Sequence, residues 1–527
     1  MFKLHLLKHS QTLLAISTTL YNLPVNGATK NPKEKLNIIM FLVDDMGWGD
    51  TSVPFWTKRT YLNDRFHTPN MERLASQGMI FTQAYACSVS SPSRTSLMTG
   101  MNAARHRVTN WTLNKNISVD KLDEKLEFPE WNVNGLQPTD TVTRGVFATT
   151  LPQLLRNNGY YTIHCGKAHW GSNNTPGSDP LNLGFDINIA GHAAGAPGSY
   201  LGEKNFGNTS KNMITQPWGV PGLEKYYGDS IYLTEALTRE AIHALDKALE
   251  TKKPFYLYMA HYAVHVPLEP DSRFYQKYIL KGLDEREACY ASMIESMDKS
   301  LGDLMNYLEE KNLNENTVIL FMSDNGGLSA HGRGGIPNTH NYPLKSGKGS
   351  IYEGGIRVPM IVKWPGKTKP FSICNEYIII EDFYPTILEI AGIKKYETVQ
   401  KLDGKSFLPM LSQPGVRSSN SDLIWHYPNN WGVSGPGIGT YSSIRSGDWK
   451  LIYWYQNQNF ELYNIKEDIE EKSNLFKEKP LIAKKLAKRL GKYLKTVDAQ
   501  RPILKNNSKP APWPCDVKIK RALSESS

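Results

Sequence analysis

Two short runs far apart in the chain constrain it most. Leu36-Asn37-Ile38-Ile39-Met40-Phe41-Leu42-Val43 is apolar almost throughout and stops abruptly at Asp44-Asp45. Thr317-Val318-Ile319-Leu320-Phe321-Met322-Ser323 repeats the pattern and stops at Asp324-Asn325. Runs this short, with no polar alternation, fit strands buried on both faces, as in parallel sheets covered by helices. Ligands collect beyond the carboxyl ends of such strands. Three carboxylates and an amide, with neither cysteine nor histidine, suit a hard cation such as Ca²⁺ better than zinc. Turn-forming aspartates are the plainer reading of either pair alone.

The chain between and around these runs alternates strand and helix. Thr68-Pro69-Asn70-Met71-Glu72 has a cap residue, a first-turn proline and a first-turn glutamate, and Gly78 ends that helix. Strands are expected at Met79 to Ala86, Tyr160 to Cys165 and Pro254 to Ala260, and helices at 151–158, 231–250 and 381–391. Met293, Met297, Leu301, Leu304 and Leu308 fall at helical spacing and should be core. This rhythm predicts an α/β fold with a mostly parallel sheet. Residues 101–144 and 172–221 break the periodicity and read as insertions over a site. A polar connection over 393–421 marks a boundary, giving a large domain over 28–420 and a smaller sheet-plus-helix domain over 421–527.

Residues 1–27 resemble an export signal: Lys3, His5 and Lys8 precede an apolar stretch from Thr12 to Leu20, with small residues for cleavage at Val25 to Ala28. No segment reaches the about 20 apolar residues of a membrane span. The formal charge of +10 favours an acidic partner, but no nucleic-acid-binding motif accompanies it. The five scattered cysteines suggest neither a metal site nor a disulfide framework.

The most telling stretch is Ser90-Ser91-Pro92-Ser93-Arg94, followed by Thr99-Gly100. A serine before proline is first of all a helix cap. The whole string, however, resembles the signature of the type I sulfatase family, in which cysteine or serine is followed after one residue by proline, one more residue and arginine. Cys87 does not fit, because no proline stands two residues after it. Gly166-Lys167-Ala168-His169 and His261-Tyr262-Ala263-Val264-His265-Val266-Pro267 match further family stretches, as does Lys345-Ser346-Gly347-Lys348-Gly349. The glycines flanking Lys348 select it over Lys345.

That resemblance implies an alkaline-phosphatase-like fold and a bacterial, periplasmic or extracellular enzyme. It implies that a sulfatase-maturing radical enzyme oxidises Ser90 to formylglycine, whose hydrate offers a second hydroxyl to expel sulfate. Asp44, Asp45, Asp324 and Asn325, with the modified Ser90, would hold Ca²⁺. Arg94, Lys167 and Lys348 would offset charge, His265 would protonate the leaving alcohol, and His169 would take a proton from the nucleophile. The expected substrate is a sulfated mono-, oligo- or polysaccharide attacked from its end. Arg105, His106, Asn110, Trp111, His192 and Tyr200 in the insertions are candidate sugar contacts. Two rivals stand beside this reading: a phosphonate monoester or phosphodiester hydrolase of the same fold, and a sulfoglycan-binding protein whose Ser90 is never oxidised.

Overall fold

Ile38 to Leu42 is buried without a gap because it lies inside an eight-stranded sheet. A computed structural model describes residues 35–207, 218–328, 341–416 and 422–519. The expected signal over 1–27 and the boundary at 420/421 lie outside the described residues.

The strands are β1 (Asn37–Val43), β2 (Met79–Tyr85), β3 (Tyr161–Gly166), β4 (Ile187–Ile189), β5 (Phe255–Ala260), β6 (Thr317–Ser323), β7 (Arg357–Lys363) and β8 (Ser372–Ile379). Their order across the sheet is β8-β2-β7-β6-β1-β5-β3-β4. Only β7 runs against its neighbours, so the sheet is mixed and mostly parallel, as the strand and helix rhythm predicts. Alternate side chains of β1 enter opposite cores. Ile39, Phe41 and Val43 pack with helices Leu233–Glu250 and Glu285–Glu310. Ile38, Met40 and Leu42 pack with helices Leu151–Asn157 and Phe383–Ile390. Helices cover both faces, which is why the strand needs no polar alternation.

The helix Pro69–Gln77 starts where expected, but Thr68 does not cap it with its side chain. The Thr68 hydroxyl is instead within 2.9 Å of those of Thr51 and Ser52. Asp298 supplies the cap from the long helix, accepting from the backbone N–H of Asn70 at 3.0 Å and of Met71 at 2.8 Å.

A second, antiparallel sheet follows, of β9 (Leu423–Tyr427), β10 (Tyr441–Ser446), β11 (Trp449–Trp454) and β12 (Asn459–Asn464). In the last strand Phe460 and Leu462 alternate with polar neighbours, as a half-buried strand does. Helix Pro480–Thr496 buries Leu486, Leu490 and Leu494 against this sheet and leaves its lysines exposed. Trp425, Tyr441 and Ile452 join Tyr85, Val89 and Ile356 in one cluster, so the small sheet is packed beside β2.

Candidate active site

Most of the chemical groups sit at or just beyond the carboxyl ends of strands, while Arg94 lies in a helix and Lys348 in the segment that leads into β7. β1 and β6 run parallel with Val43 opposite Ser323, which brings Asp44-Asp45 beside Asp324-Asn325. Consecutive strand residues point to opposite faces. Asp45, at φ 60°, leaves that pattern for the left-handed region, which aspartate tolerates better than most residues. Carboxylate oxygens of Asp44, Asp45 and Asp324 consequently lie within 4.8 Å of one another, fully buried.

β2 delivers Ser90 to the first turn of helix Ser90–Thr99. Its Oγ lies 3.2 Å from both Asp44 Oδ1 and Asn325 Oδ1. Lys167, just past β3, donates to Ser90 Oγ at 3.1 Å and to Asp44 Oδ2 at 2.6 Å. Arg94, one turn along the helix, donates through Nε to Asp324 Oδ2 at 2.9 Å and through Nη1 to the Lys167 carbonyl at 3.0 Å. Lys348 donates to Asp45 Oδ2 at 2.8 Å. Lys345 instead donates to the Glu471 carbonyl and lies over the Tyr352 ring.

Burial, with Asp324 and Asp45 nearby, pushes the Asp44 carboxyl up to about 8 in spite of Lys167. Burial likewise pulls Lys167 down to about 8. Asp45 also suffers burial, but the ammonium of Lys348, with Lys167 behind it, outweighs that and holds its carboxyl below the usual range. The residues fit a hard divalent cation, because such an ion favours ionised carboxylates and the donors here are all oxygens. Among the described residues, three carboxylates face three side-chain cations, so a bound divalent ion would make that set net positive, which suits an anion.

Two histidines complete the centre. His169 Nε2 donates to the Thr112 carbonyl at 3.0 Å, and its Nδ1 has no hydrogen-bond partner among the described residues. His265 Nδ1 donates to the Val266 carbonyl at 2.8 Å, and its Nε2 lies 3.6 Å from Asp45 Oδ2. Burial holds both rings neutral: His169 well below its ordinary value and His265 down to about 3. Each therefore has a bare ring nitrogen. A proton-donating role for His265 requires an anionic ester beside it to raise its proton affinity.

A cavity of about 580 Å³ opens on Ser90, His169, His265 and Lys348. Trp111 is the one candidate sugar contact that lines it. Arg105 forks onto Asp403, with both bonds at 2.7 Å. His106 is buried against Ser96, and burial brings its ring down to about 3. Asn110 is buried and holds the Trp111 N–H. The Tyr200 hydroxyl donates to the carbonyls of Tyr262 and His265. His192 accepts the His169 N–H on its carbonyl. These residues shape the loops rather than the cavity wall, because their polar atoms are satisfied inside the protein. The wall uses Trp218 and Trp431 instead, which the insertion argument did not single out. Trp431 lies in a glycine-rich and proline-rich stretch between β9 and β10, a composition that could have marked it.

A mixed, mostly parallel sheet with a serine, an oxygen-ligand cluster and three cations at its carboxyl end defines a hydrolase of the alkaline-phosphatase-like fold. The sulfatase family profile matches residues 36–393, and one described as N-sulphoglucosamine sulphohydrolase, C-terminal, matches residues 346–500. The chain is 31% identical to a sulfatase of Formosa agariphila, over 94% of this chain and 95% of that protein. It is 29% identical to the N-acetylgalactosamine-6-sulfatase of Canis lupus familiaris, over 81% of this chain and 73% of that protein. The solved structure of Ps i-CgsB in complex with k-i-k-neocarrahexaose is similar at a TM-score of 0.65 and 28% identity, covering 88% of this chain and 93% of that one. The chain belongs to the sulfatase family and is a sulfuric ester hydrolase.

Proposed function

We propose that this chain is an exported bacterial sulfatase that removes sulfate from the end of a sulfated carbohydrate. The observation that carries this is the convergence of Ser90 with Arg94, Lys167, Lys348 and the Asp44-Asp45-Asp324-Asn325 set. Ca²⁺ held by those four residues, with position 90 beside it, would polarise the sulfate oxygens. Oxidation of Ser90 to formylglycine by a sulfatase-maturing radical enzyme would supply a hydrated aldehyde at a helix N-terminus, where free N–H groups favour an anion.

The protein's own groups divide the remaining work. Lys167 and Arg94 hold position 90 and the carboxylates in register, and with Lys348 they offset charge on a transferring sulfuryl group. His169 is oriented by the Thr112 carbonyl and can take up a proton at Nδ1. His265 lies on the cavity side of Asp45, where it can serve the leaving oxygen. Carbohydrate is favoured because the similar proteins include one named for N-acetylgalactosamine sulfate and one solved with a carrahexaose. Among the described residues, no helix is long and apolar enough to cross a membrane, and the basic charge suits a polyanionic glycan.

Mass analysis of the Ser90 peptide tests the nucleophile: protein made with a serine-oxidising radical enzyme should lose two hydrogens there and become active. Full activity with a cysteine-only oxidase would contradict this. The matured protein, assayed with Ca²⁺ on sulfated saccharides and steroid sulfates, should prefer the saccharides. Preference for the steroids, or cleavage only within chains, would refute the substrate class.

A further inference from the structure

The cavity beside Ser90 is poor in polar walls. Apart from Ser90, His169, His265 and Lys348, the described residues lining it are apolar or glycine, and three are tryptophans. An indole offers a broad, electron-rich face that attracts the slightly positive C–H edges of a ring laid on it. Such a wall suits a ring with one apolar face, held while its sulfate reaches the cations.

Two of these tryptophans come from distant parts of the chain and share one anchor. Asp120 Oδ1 accepts from Asn110 Nδ2 at 2.9 Å and from the Asn430 N–H at 3.1 Å. Its Oδ2 accepts from Asn429 Nδ2 and from Trp131 Nε1, both at 2.9 Å, and from Ser118 Oγ at 2.8 Å. Asn110 and Asn430 are the residues immediately before Trp111 and Trp431. Asn110 Oδ1 accepts both the Trp111 N–H and the Tyr427 hydroxyl at 2.9 Å, joining the two segments a second time.

Each tryptophan also abuts the chemistry. Trp431 lies over the residue after Lys348: a Cβ on Gly349 would come within 2.3 Å of its ring, and Lys348 Nζ is 5.9 Å from the ring centroid. Trp111 precedes Thr112, whose carbonyl orients His169 and whose N–H donates to Ser91 Oγ at 3.1 Å.

We propose that Trp111 and Trp431 form the subsite for the pyranose ring that carries the sulfate ester, and that Asp120 is the positioning residue setting both. The ester part of this rests on the sulfatase reading, whereas the ring-binding part does not.

The test uses the full chain expressed without a maturing enzyme, so that nothing is turned over, in the presence of Ca²⁺. Calorimetry measures Kd for inorganic sulfate, phenyl sulfate and N-acetylgalactosamine 6-sulfate. The saccharide should bind more tightly than sulfate. Trp431→Ala should weaken the saccharide by about tenfold and leave sulfate within about twofold. Trp431→Phe should restore most of the loss. Asp120→Asn keeps only one of the two accepting oxygens and so lowers the melting temperature somewhat, but it should weaken the saccharide while leaving sulfate within about twofold. Equal affinity for saccharide and sulfate overturns the subsite, as does an equal loss for both in Trp431→Ala. A silent Asp120→Asn overturns the positioning role. Tighter binding of phenyl sulfate than of the saccharide, with the same Trp431 dependence, overturns the pyranose assignment. Absence of saccharide turnover by matured protein, with these affinities intact, would refute the proposed carbohydrate hydrolysis and leave the subsite standing.

Discussion

Asp44 and Asp45 are consecutive, yet different lysines hold their carboxylates: Lys167 lies 2.6 Å from the first and Lys348 lies 2.8 Å from the second. Each lysine comes from its own loop, so the charge balance of the pair depends on two remote segments closing on one turn.

Lys348 and the nearby Lys345 should therefore behave differently. Lys348→Ala removes a cation from the reacting centre and is expected to lower kcat/KM by about 10²-fold to 10³-fold. Lys345→Ala loses a bond to the Glu471 carbonyl and its contact with Tyr352, costing about 1 kcal/mol of stability with a much smaller kinetic effect. Steady-state kinetics beside a denaturant titration separates the two.

On the proposed Ca²⁺ site, chelation should lower both activity and melting temperature, because Asp44, Asp45 and Asp324 would then crowd together without a cation between them. Ca²⁺ added back should restore both, and Zn²⁺ should not. Asp324→Asn should cost about 10²-fold in activity while the protein still folds, a loss of the kind seen when one charge-stabilising group is removed.

Glu381 gives a pH signature away from the reacting centre. It is buried, and its Oε1 accepts from Asn102 Nδ2 at 2.8 Å. Burial, with Asp382 adding to it, pushes its carboxyl up to about 8. The folded protein thus keeps a proton that the unfolded chain releases near 4.5. Glu381's contribution is complete below that pH and is lost as pH rises toward 8. Glu381→Gln should match the wild-type melting temperature near pH 4 and exceed it near pH 8. Parallel curves would contradict the burial argument.

Asp298→Ala should cost about 1–2 kcal/mol in a guanidinium titration, the usual worth of a helix cap. Thr68→Val tests the same point from the other side. It should not uncap the helix, since the Thr68 hydroxyl faces Thr51 and Ser52.

Much of the centre was legible because it hangs on strand ends. A buried run that stops at Asp44-Asp45 states both where the strand ends and what waits there, and the same holds for Asp324-Asn325. The wall was not legible, because which loops meet above a sheet depends on strand order. Trp431 reaches the cavity only because β9 lies beside β2. His106 and Tyr200 had the right chemistry for a sugar but satisfy their polar atoms inside the protein. Asp298 capping a helix more than 200 residues earlier leaves no local trace.

The pairing of β1 with β6 also places the site in time. Asp45 and Asp324 are 279 residues apart, and at about 5–20 residues per second the ribosome needs tens of seconds to deliver the second after the first. Throughout that interval the nascent chain exposes two adjacent carboxylates without Arg94's partner, Lys348 or the strand that flanks them. Contacts of such long range form late and slow the folding of sheets built on them. A chain arrested before β6 carries Ser90 and both early carboxylates but not the cluster, which assembles only once β6 and the Lys348 segment are present.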